Sequence, residues 1–299
     1  MIPLLFFQAM MQQPETDPWL LSIGSSERIV VRANNAYRTP DGKRATLQEI
    51  AAAVDGKSFV YIGEEHDNAD SHRWQTLIIG ALVEHGREVV IGLEMLQREK
   101  QPILDLWTLG KFSEEEFLEK VDWKRQWGMD YALYRPIFEI ARKEKLRMIA
   151  LNIPRDWVRT VSRSGWEALS PEAKSQLPEP YMSDAEHFEV FRALMGGHPG
   201  DASLENVYRG QVLWDEAMAD SAIRYYNERY RSGKTVFVIL AGNGHVMYRK
   251  GINFRIKRRT GMDGITLVTV PVPSETNERR VSAGVADFVV GIREKKQIQ

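Results

Sequence analysis

Four short segments of this sequence carry carboxylates, imidazoles and amides at spacings that could support chemistry. They are GEEHDN at 63–68 followed by His72, GLEM with Glu94 followed by Arg98, LNIPR with Asn152, and GNGH ending at His245. The carboxylates Glu64 and Glu94, with the imidazoles His66 and His245, can bind a divalent metal ion that keeps an open coordination position. The same four groups can instead form metal-free acid–base pairs, in which a carboxylate orients a histidine. Because H-E-x-x-H is absent, the sequence leaves both alternatives open, and these four are the candidate catalytic and metal-binding residues.

Each segment follows an apolar run that is typical of a buried β-strand. The runs are Ser58–Gly63, Glu88–Leu93, Arg147–Leu151 and Thr235–Ala241. They are short and non-alternating, as expected for strands that are buried on both faces of a parallel sheet. A fifth run, Ile265–Val272, contains Pro271, which favours a sheet edge at its end. Ligands of such sheets bind beyond the carboxyl ends of the strands, so we expect the polar residues after the strands to lie at one rim.

The intervals between the predicted strands have helical spacing of apolar residues. Strands that alternate with helices predict an α/β fold, with a central, mostly parallel sheet covered by helices on both faces. A smaller helical lobe is inserted at about 97–135, where Ser113 and Glu116 form a capping box. Pro136 predicts the start of the helix that leads into the third strand. A segment rich in loops follows at about 165–205.

The longest helical pattern, Asn206–Arg231, carries Gln211 and Asp215 on its apolar stripe. Buried polar groups need hydrogen-bond partners, so we expect these two residues to line the pocket or to hold neighbouring loops. His187, beside a stretch rich in proline and glycine, is predicted to be an exposed loop residue. Candidate cofactor-binding residues are the polar neighbours of the rim and of this stripe. They are Glu65, His72, Arg98, Asn152, Gln211, Asp215 and Asn243.

Composition excludes several classes of protein. The chain has 299 residues, of which 43% are hydrophobic and 27% charged, so a core can form without covalent staples. A formal net charge of −1 lacks the excess of positive charge that is typical of nucleic-acid-binding proteins. The absence of cysteine excludes disulfide scaffolds, iron–sulfur clusters, thiol nucleophiles and a lipid-modified cysteine.

The amino terminus is expected to be separate from the folded domain. Ile2–Met11 is apolar but about half as long as a membrane-spanning helix, and it lacks the basic start of a secretory signal. We therefore expect residues 1–25 to be a tail or the remnant of a signal peptide, and 26–299 to form a single domain. The sequence predicts no transmembrane segment.

Six motifs together resemble those of a known family. They are GEEHDN with its following histidine, GLEM, WG with a downstream YRP, LNIPR, QVLWDEAMA and AGNGHV. Their order resembles the ChaN-like haem-binding-uptake family of the Tiki superfamily, which is related to TraB-type and erythromycin-esterase-like proteins. The resemblance spans Phe59 to Val246 and implies a parallel α/β sheet with a smaller helical lobe.

This resemblance implies two alternative functions. The first is haem binding associated with iron uptake, in a cleft at the carboxyl ends of the strands, and it is preferred because the resemblance is to that branch. The second is a hydrolase of the metal-dependent peptidase or esterase type, whose chemistry would belong to Glu64, His66, Glu94 and His245. No motif fixes a haem iron ligand, although a tyrosinate or an imidazole would be reasonable.

The resemblance also bears on partners and location. It implies haem or another small molecule as the ligand, with a divalent metal ion as a further candidate, and it is compatible with a homodimer. A location outside the cytoplasm is favoured, with the cytoplasm as the alternative. Anchoring through a lipidated cysteine is in doubt because the chain contains none.

Overall fold

The computed structural model describes residues 17–196, 202–229 and 233–295. Within them, eight strands form one sheet and two form a separate ribbon. In chain order the strands are β1 (Arg28–Val31), β2 (Ala36–Arg38), β3 (Arg44–Ala45), β4 (Phe59–Glu64), β5 (Glu88–Gln97), β6 (Arg147–Asn152), β7 (Thr235–Gly242), β8 (Gly264–Val272), β9 (Arg279–Ser282) and β10 (Phe288–Arg293). The order across the sheet is β3-β2-β10-β8-β4-β7-β5-β6, and the six strands from β10 to β6 run parallel. β2 and β3 form an antiparallel hairpin beside β10, and β1 pairs antiparallel with β9.

Helices cover both faces of the sheet. They are α1 (Leu47–Ala52), α2 (Ala69–Glu84), α3 (Gln101–Thr108), α4 (Glu114–Val121), α5 (Trp123–Gln126), α6 (Tyr131–Lys143), α7 (Arg155–Ser164), α8 (Pro171–Ser175), α9 (Ala185–Leu194), α10 (Ala202–Arg229) and α11 (Ile252–Thr260). Successive side chains of a strand point to opposite faces, and β4 is apolar on both. Val60 and Ile62 lie in the core formed with α1–α6, whereas Phe59 and Tyr61 lie in the core formed with α9, α10 and α11. The predicted α/β class, with helices on both faces, is therefore confirmed.

The five predicted strands match β4 to β8, but no run in the sequence predicted β10, which extends the parallel sheet beyond β8.

The predicted start of the helix α6 at Pro136 was also inaccurate. Its start is at Tyr131, because the Asp130 side chain accepts a hydrogen bond from the N–H of Ala132, and Pro136 lies inside the helix. The expected capping box of Ser113 and Glu116 is present at the start of α4.

At the edge strand β6, the side chain of Gln101 makes hydrogen bonds that a neighbouring strand would otherwise make. The amide of Gln101, at the start of α3, donates a hydrogen bond of 2.9 Å to the carbonyl of Met148. Its oxygen accepts one of 2.8 Å from the N–H of Ala150. One glutamine therefore pairs a donor and an acceptor that would otherwise lie open at the sheet edge.

Residues 17–25, which were expected to belong to the amino-terminal tail, contact the folded core. Trp19, Leu21 and Ile23 are buried, and the Tyr248 hydroxyl donates to the carbonyl of Pro18 at 2.9 Å. The apolar run at 2–11 lies outside the described residues. Of the helices that the structure describes, none has the length and apolar character needed to cross a membrane.

Candidate ligand-binding cleft

A cavity of about 850 Å³ opens at the carboxyl ends of β4, β5, β6 and β7. Its walls come from the ends of these strands and the residues after them, from the segment after α5, from α7 and from α10. The lining residues are His66, Glu94, Trp127, Met129, Asn152, Arg155, Val158, Arg159, Ser162, Arg163, Asn206, Val207, Gly210, Trp214 and His245. The structure thus places four predicted rim residues, His66, Glu94, Asn152 and His245, on one cavity. Glu64, which the sequence also predicts at this rim, is buried behind His66.

His245 is held between two carboxylates. Its Nδ1 lies 2.6 Å from Oδ1 of Asp215, and its Nε2 lies 3.3 Å from Oε1 of Glu94. The second oxygen of Glu94 accepts a hydrogen bond of 2.7 Å from the backbone N–H of Gly242. Burial favours a lower pKa for His245, but the charges of Glu94 and Asp215 outweigh it and raise the pKa to about 10. Burial likewise opposes ionisation of Glu94, yet His245 lowers the pKa of that carboxyl to about 2. The two residues therefore form an ion pair at neutral pH.

Asp215 links His245 to a second buried histidine. Its Oδ2 lies 3.2 Å from Nε2 of His187 and 3.7 Å from Nη1 of the fully buried Arg255. Burial opposes the charge of Asp215, but Arg255 and His245 hold the pKa of this carboxyl well below its usual range. The amide nitrogen of Gln211 lies 3.0 Å from Nδ1 of His245. Both polar residues on the α10 stripe thus contact the imidazole of His245.

Glu64 and His66 form a second carboxylate–imidazole pair. Oε1 of Glu64 lies 2.9 Å from Nδ1 of His66, and Tyr134 donates its hydroxyl to the same oxygen at 2.9 Å. Gln75 donates to Oε2 at 2.8 Å. Burial opposes both charged forms, but their mutual hydrogen bond raises the pKa of His66 and lowers that of Glu64. The side chain of His66 is 34% exposed.

The loop after β4 is held from behind by His72, which is fully buried. Its Nδ1 lies 3.1 Å from Oε1 of Gln75, and its Nε2 lies 3.1 Å from the carbonyl of His66. His72 therefore supports the position of His66 and does not belong to the described lining of the cavity.

Two asparagines and Glu65 connect the strand ends to each other. Asn243 donates to Oε1 of Glu65 at 2.8 Å and to the carbonyl of Thr269 at 2.9 Å. Burial raises the pKa of Glu65, although the Asn243 amide opposes this shift. Asn152 donates to the carbonyl of Glu94 at 2.9 Å and also lines the cavity. The Asn243 amide therefore ties together the loops that carry the two histidines, and the Asn152 amide ties β6 to β5.

Close packing at Gly242 also positions His66. A Cβ atom at this residue would lie 2.8 Å from Cε1 and 2.9 Å from Nε2 of the His66 ring. Only glycine leaves room for the ring at its observed place, which explains why the last residue of β7 lacks a side chain.

The structure directs Arg98 away from the cavity. Its Nε donates to the Ser221 hydroxyl at 2.6 Å, and its Nη2 lies 3.2 Å from Oδ2 of Asp220. Arg98 was a candidate cofactor-binding residue, but β5 continues past Glu94 to Gln97, and Arg98 contacts α10 instead. Arg98 therefore joins β5 to α10.

The prediction that His187 is an exposed loop residue was wrong. His187 is in α9 and is 1% exposed. The Asp184 side chain caps this helix by accepting the N–H of His187 at 3.1 Å, and the ring lies 3.0 Å from the Tyr208 hydroxyl. Burial lowers its pKa, so it is neutral beside Asp215 at neutral pH.

The structure does not support a divalent metal ion at the four predicted ligands. Glu64 pairs with His66 and Glu94 pairs with His245, so each carboxylate is already engaged by an imidazole. Among the residues that the structure describes, no group of three or more histidines and acids is arranged to hold a metal ion.

The cavity is also lined by aromatic and basic side chains. Trp127 packs edge-on against His66 with ring centroids 4.8 Å apart, and Trp214 against His245 at 6.2 Å. Three arginines of α7 line another part of the wall. They are Arg155, Arg159 and Arg163. Their spacing of four residues was the available signal, since such residues share one helix face.

The parallel sheet defines an α/β protein whose cavity lies at the carboxyl rim, the position where open sheets usually bind their ligands. The family model for haem-binding uptake proteins of the Tiki superfamily, ChaN, matches residues 50–256. The chain therefore belongs to the ChaN family. A comparison with curated proteins found no match.

Three solved structures are similar to this chain at low sequence identity. The structure titled cofacial heme binding to ChaN of Campylobacter jejuni is similar with a TM-score of 0.65 and 17% identity, over 87% of this chain and 98% of that one. The type III effector HopBA1 has a TM-score of 0.50 and 11% identity, over 83% and 94% of the two chains. A mutant of the erythromycin esterase EreC in its open conformation has a TM-score of 0.48 and 14% identity, over 83% and 78%.

Proposed function

We propose that this protein binds haem in the cleft and serves in haem uptake. The observation that carries the proposal is the cavity of about 850 Å³, which has indole rings beside both of its histidines. Its size is in the usual range for small-molecule sites, which is roughly 300–1,000 Å³. Family membership supports the same ligand.

The residues present fit the chemistry of haem. The macrocycle is flat and apolar, and Trp127, Met129 and Val158 offer apolar surface to it. Haem iron takes an axial imidazole or tyrosinate in many proteins, and no tyrosine is among the described lining residues. Bound haem would supply an iron centre for storage, transfer or ligand binding.

His66 is the candidate iron ligand. Both ring nitrogens of His245 face protein groups, namely Asp215 and Glu94. His66 uses Nδ1 to contact Glu64, and its Nε2 makes no hydrogen bond with any residue in the described part of the chain. A carboxylate that holds the second nitrogen fixes the ring orientation and increases the basicity of such a ligand.

Haemin titration tests this proposal. We expect the Soret band of haemin to shift and to saturate at a stoichiometric ratio with the purified protein. His66→Ala should weaken binding by about tenfold or more, since loss of an oriented metal ligand typically has at least this effect. His85→Ala is the matched control, because His85 pairs with Asp55 and is not among the described residues of the cavity. Weak binding without saturation would refute the proposed function. Unchanged binding and an unchanged spectrum in His66→Ala would refute only the ligand assignment.

A hydrolase is the second candidate function, and the Glu64–His66 pair favours it. A buried carboxylate that orients an imidazole is the arrangement of a general base, and His66 lines the cavity. His245, with a pKa of about 10, would supply positive charge instead. The test is hydrolysis of a panel of aryl esters and peptides by the wild type and by Glu64→Gln. Equal rates for the two proteins would exclude this role for the pair.

A further inference from the structure

Three arginines form a stripe along the cleft wall, which we call the α7 stripe (Arg155, Arg159 and Arg163). Each follows the previous one after four residues, or about 6 Å of helix axis, and all three line the cavity. Residues at this spacing share one helix face. The first turn of α7 begins directly after β6, so the stripe runs outward from the rim of the sheet.

The charges of the α7 stripe are poorly compensated. Arg155 donates to the backbone carbonyl of Gln126 at 2.8 Å, which is an uncharged acceptor. Arg159 pairs with Asp156 at 2.8 Å, but both side chains are more than half exposed, so the pair is weak. Arg163 is exposed and has no ion pair with another described residue.

The opposite wall offers these arginines no free carboxylate among its described residues. Glu94 is the one acid in the described lining. Its two oxygens already face the Gly242 N–H and the His245 imidazole. His245 is itself protonated at neutral pH, because its pKa is about 10. The cavity therefore combines an apolar, aromatic part with an excess of positive charge along α7.

We propose that the α7 stripe binds the carboxylate groups of the ligand, so that the cleft selects flat, apolar tetrapyrroles that carry two carboxylates. This inference rests on the proposed haem-binding function. A guanidinium presents its donors in a planar fork that matches a carboxylate. Adjacent positions on the stripe are spaced so that two carboxylates on one edge of a macrocycle can each contact an arginine. Recognition of this kind does not involve the central metal.

The test compares two iron-free probes, protoporphyrin IX and its dimethyl ester, which differ in the charge of the carboxyl groups. Binding is measured by quenching of tryptophan fluorescence in the wild type and in Arg159→Gln/Arg163→Gln. Both side chains are exposed, and circular dichroism confirms folding of the variant. The matched control is Lys124→Gln/Arg125→Gln, which removes two exposed positive charges on α5, outside the described lining of the cavity.

We expect the wild type to bind the diacid at least about tenfold more tightly than the ester, as charge-assisted hydrogen bonds are lost in the ester. The stripe variant should lose about tenfold in affinity for the diacid and keep its affinity for the ester, and the control should retain the full preference. Equal affinity of the wild type for the two probes would overturn the inference. So would an equal loss for both probes in the stripe variant, or an equal loss of preference in the control.

Failure of this inference can be distinguished from failure of the proposed function. If haemin binding saturates but the diacid and the ester bind equally, haem binding stands and carboxylate recognition by α7 falls. If neither haemin nor protoporphyrin IX binds, both proposals fall together.

Discussion

An Asp215→Ala variant is expected to lose about 3–5 kcal/mol of unfolding free energy, which is the usual effect of breaking a buried ion pair from one side. Asp215 is fully buried and lies beside His245, His187 and Arg255. Its removal leaves the fully buried guanidinium of Arg255 with Glu216 as its remaining carboxylate partner among the described residues. Urea denaturation at pH 7 measures the change.

Two further variants separate this effect from generic damage to α10. Glu205→Ala removes an exposed acid of the same helix, which pairs with Arg209 across one turn, and should change stability by no more than about 1 kcal/mol. Asp215→Asn keeps the shape and removes the charge, so it should destabilise nearly as much as Asp215→Ala. An effect of Asp215→Ala as small as that of Glu205→Ala would contradict the role assigned to this carboxylate.

The second large expected effect is a loss of stability at alkaline pH through His245. The pKa of this imidazole is about 10 in the folded protein, against about 6.5 in an unfolded chain. Its stabilising contribution is therefore fully present below a pH of about 6.5 and is lost as the pH rises towards 10. Between these two pKa values the folded state binds up to one proton more than the unfolded state. The unfolding free energy therefore falls by up to about 1.4 kcal/mol per pH unit as the pH rises.

Urea denaturation at pH 7, 8 and 9 tests this dependence. His245→Gln should flatten the slope because the titrating group is gone, whereas His85→Gln should leave it unchanged. Equal slopes in the wild type and in His245→Gln would show that the imidazolium does not contribute. Glu94 acts in the opposite direction: its pKa of about 2 means that its stabilisation is lost as the pH falls from about 4.5 towards 2.

The central strands were predictable because a parallel sheet buries both of its faces. A strand such as β7 then has to be apolar at every position, and its run of valine, isoleucine, leucine and alanine is distinct from a helix or an exposed strand. β10 was not predicted from the sequence. Its partner β8 is selected by long-range contacts, which local periodicity does not encode.

The convergence of several candidate site residues on one cavity was predictable, but their hydrogen-bond partners were not. Residues after parallel strands must meet at the carboxyl rim, which brings His66, Glu94 and His245 together. Which acid holds which imidazole depends on how the loops pack. The roles of His187 and Arg98 show this limit. His187 is buried in a helix that Asp184 caps. Arg98 contacts α10 because β5 continues past Glu94 to Gln97.

The glutamine that covers the edge of β6 has a consequence for self-association. Open sheet edges are the places where a second chain can add a strand, and Gln101 occupies the Met148 carbonyl and the Ala150 N–H at one edge. The other edge ends in β3, which has only two residues. Within the described residues, neither edge of the sheet presents a long row of unpaired backbone groups to a second chain. Any stable complex between copies of this chain is therefore expected to use side-chain contacts on helices or loops, and a sheet continuous across two subunits is disfavoured.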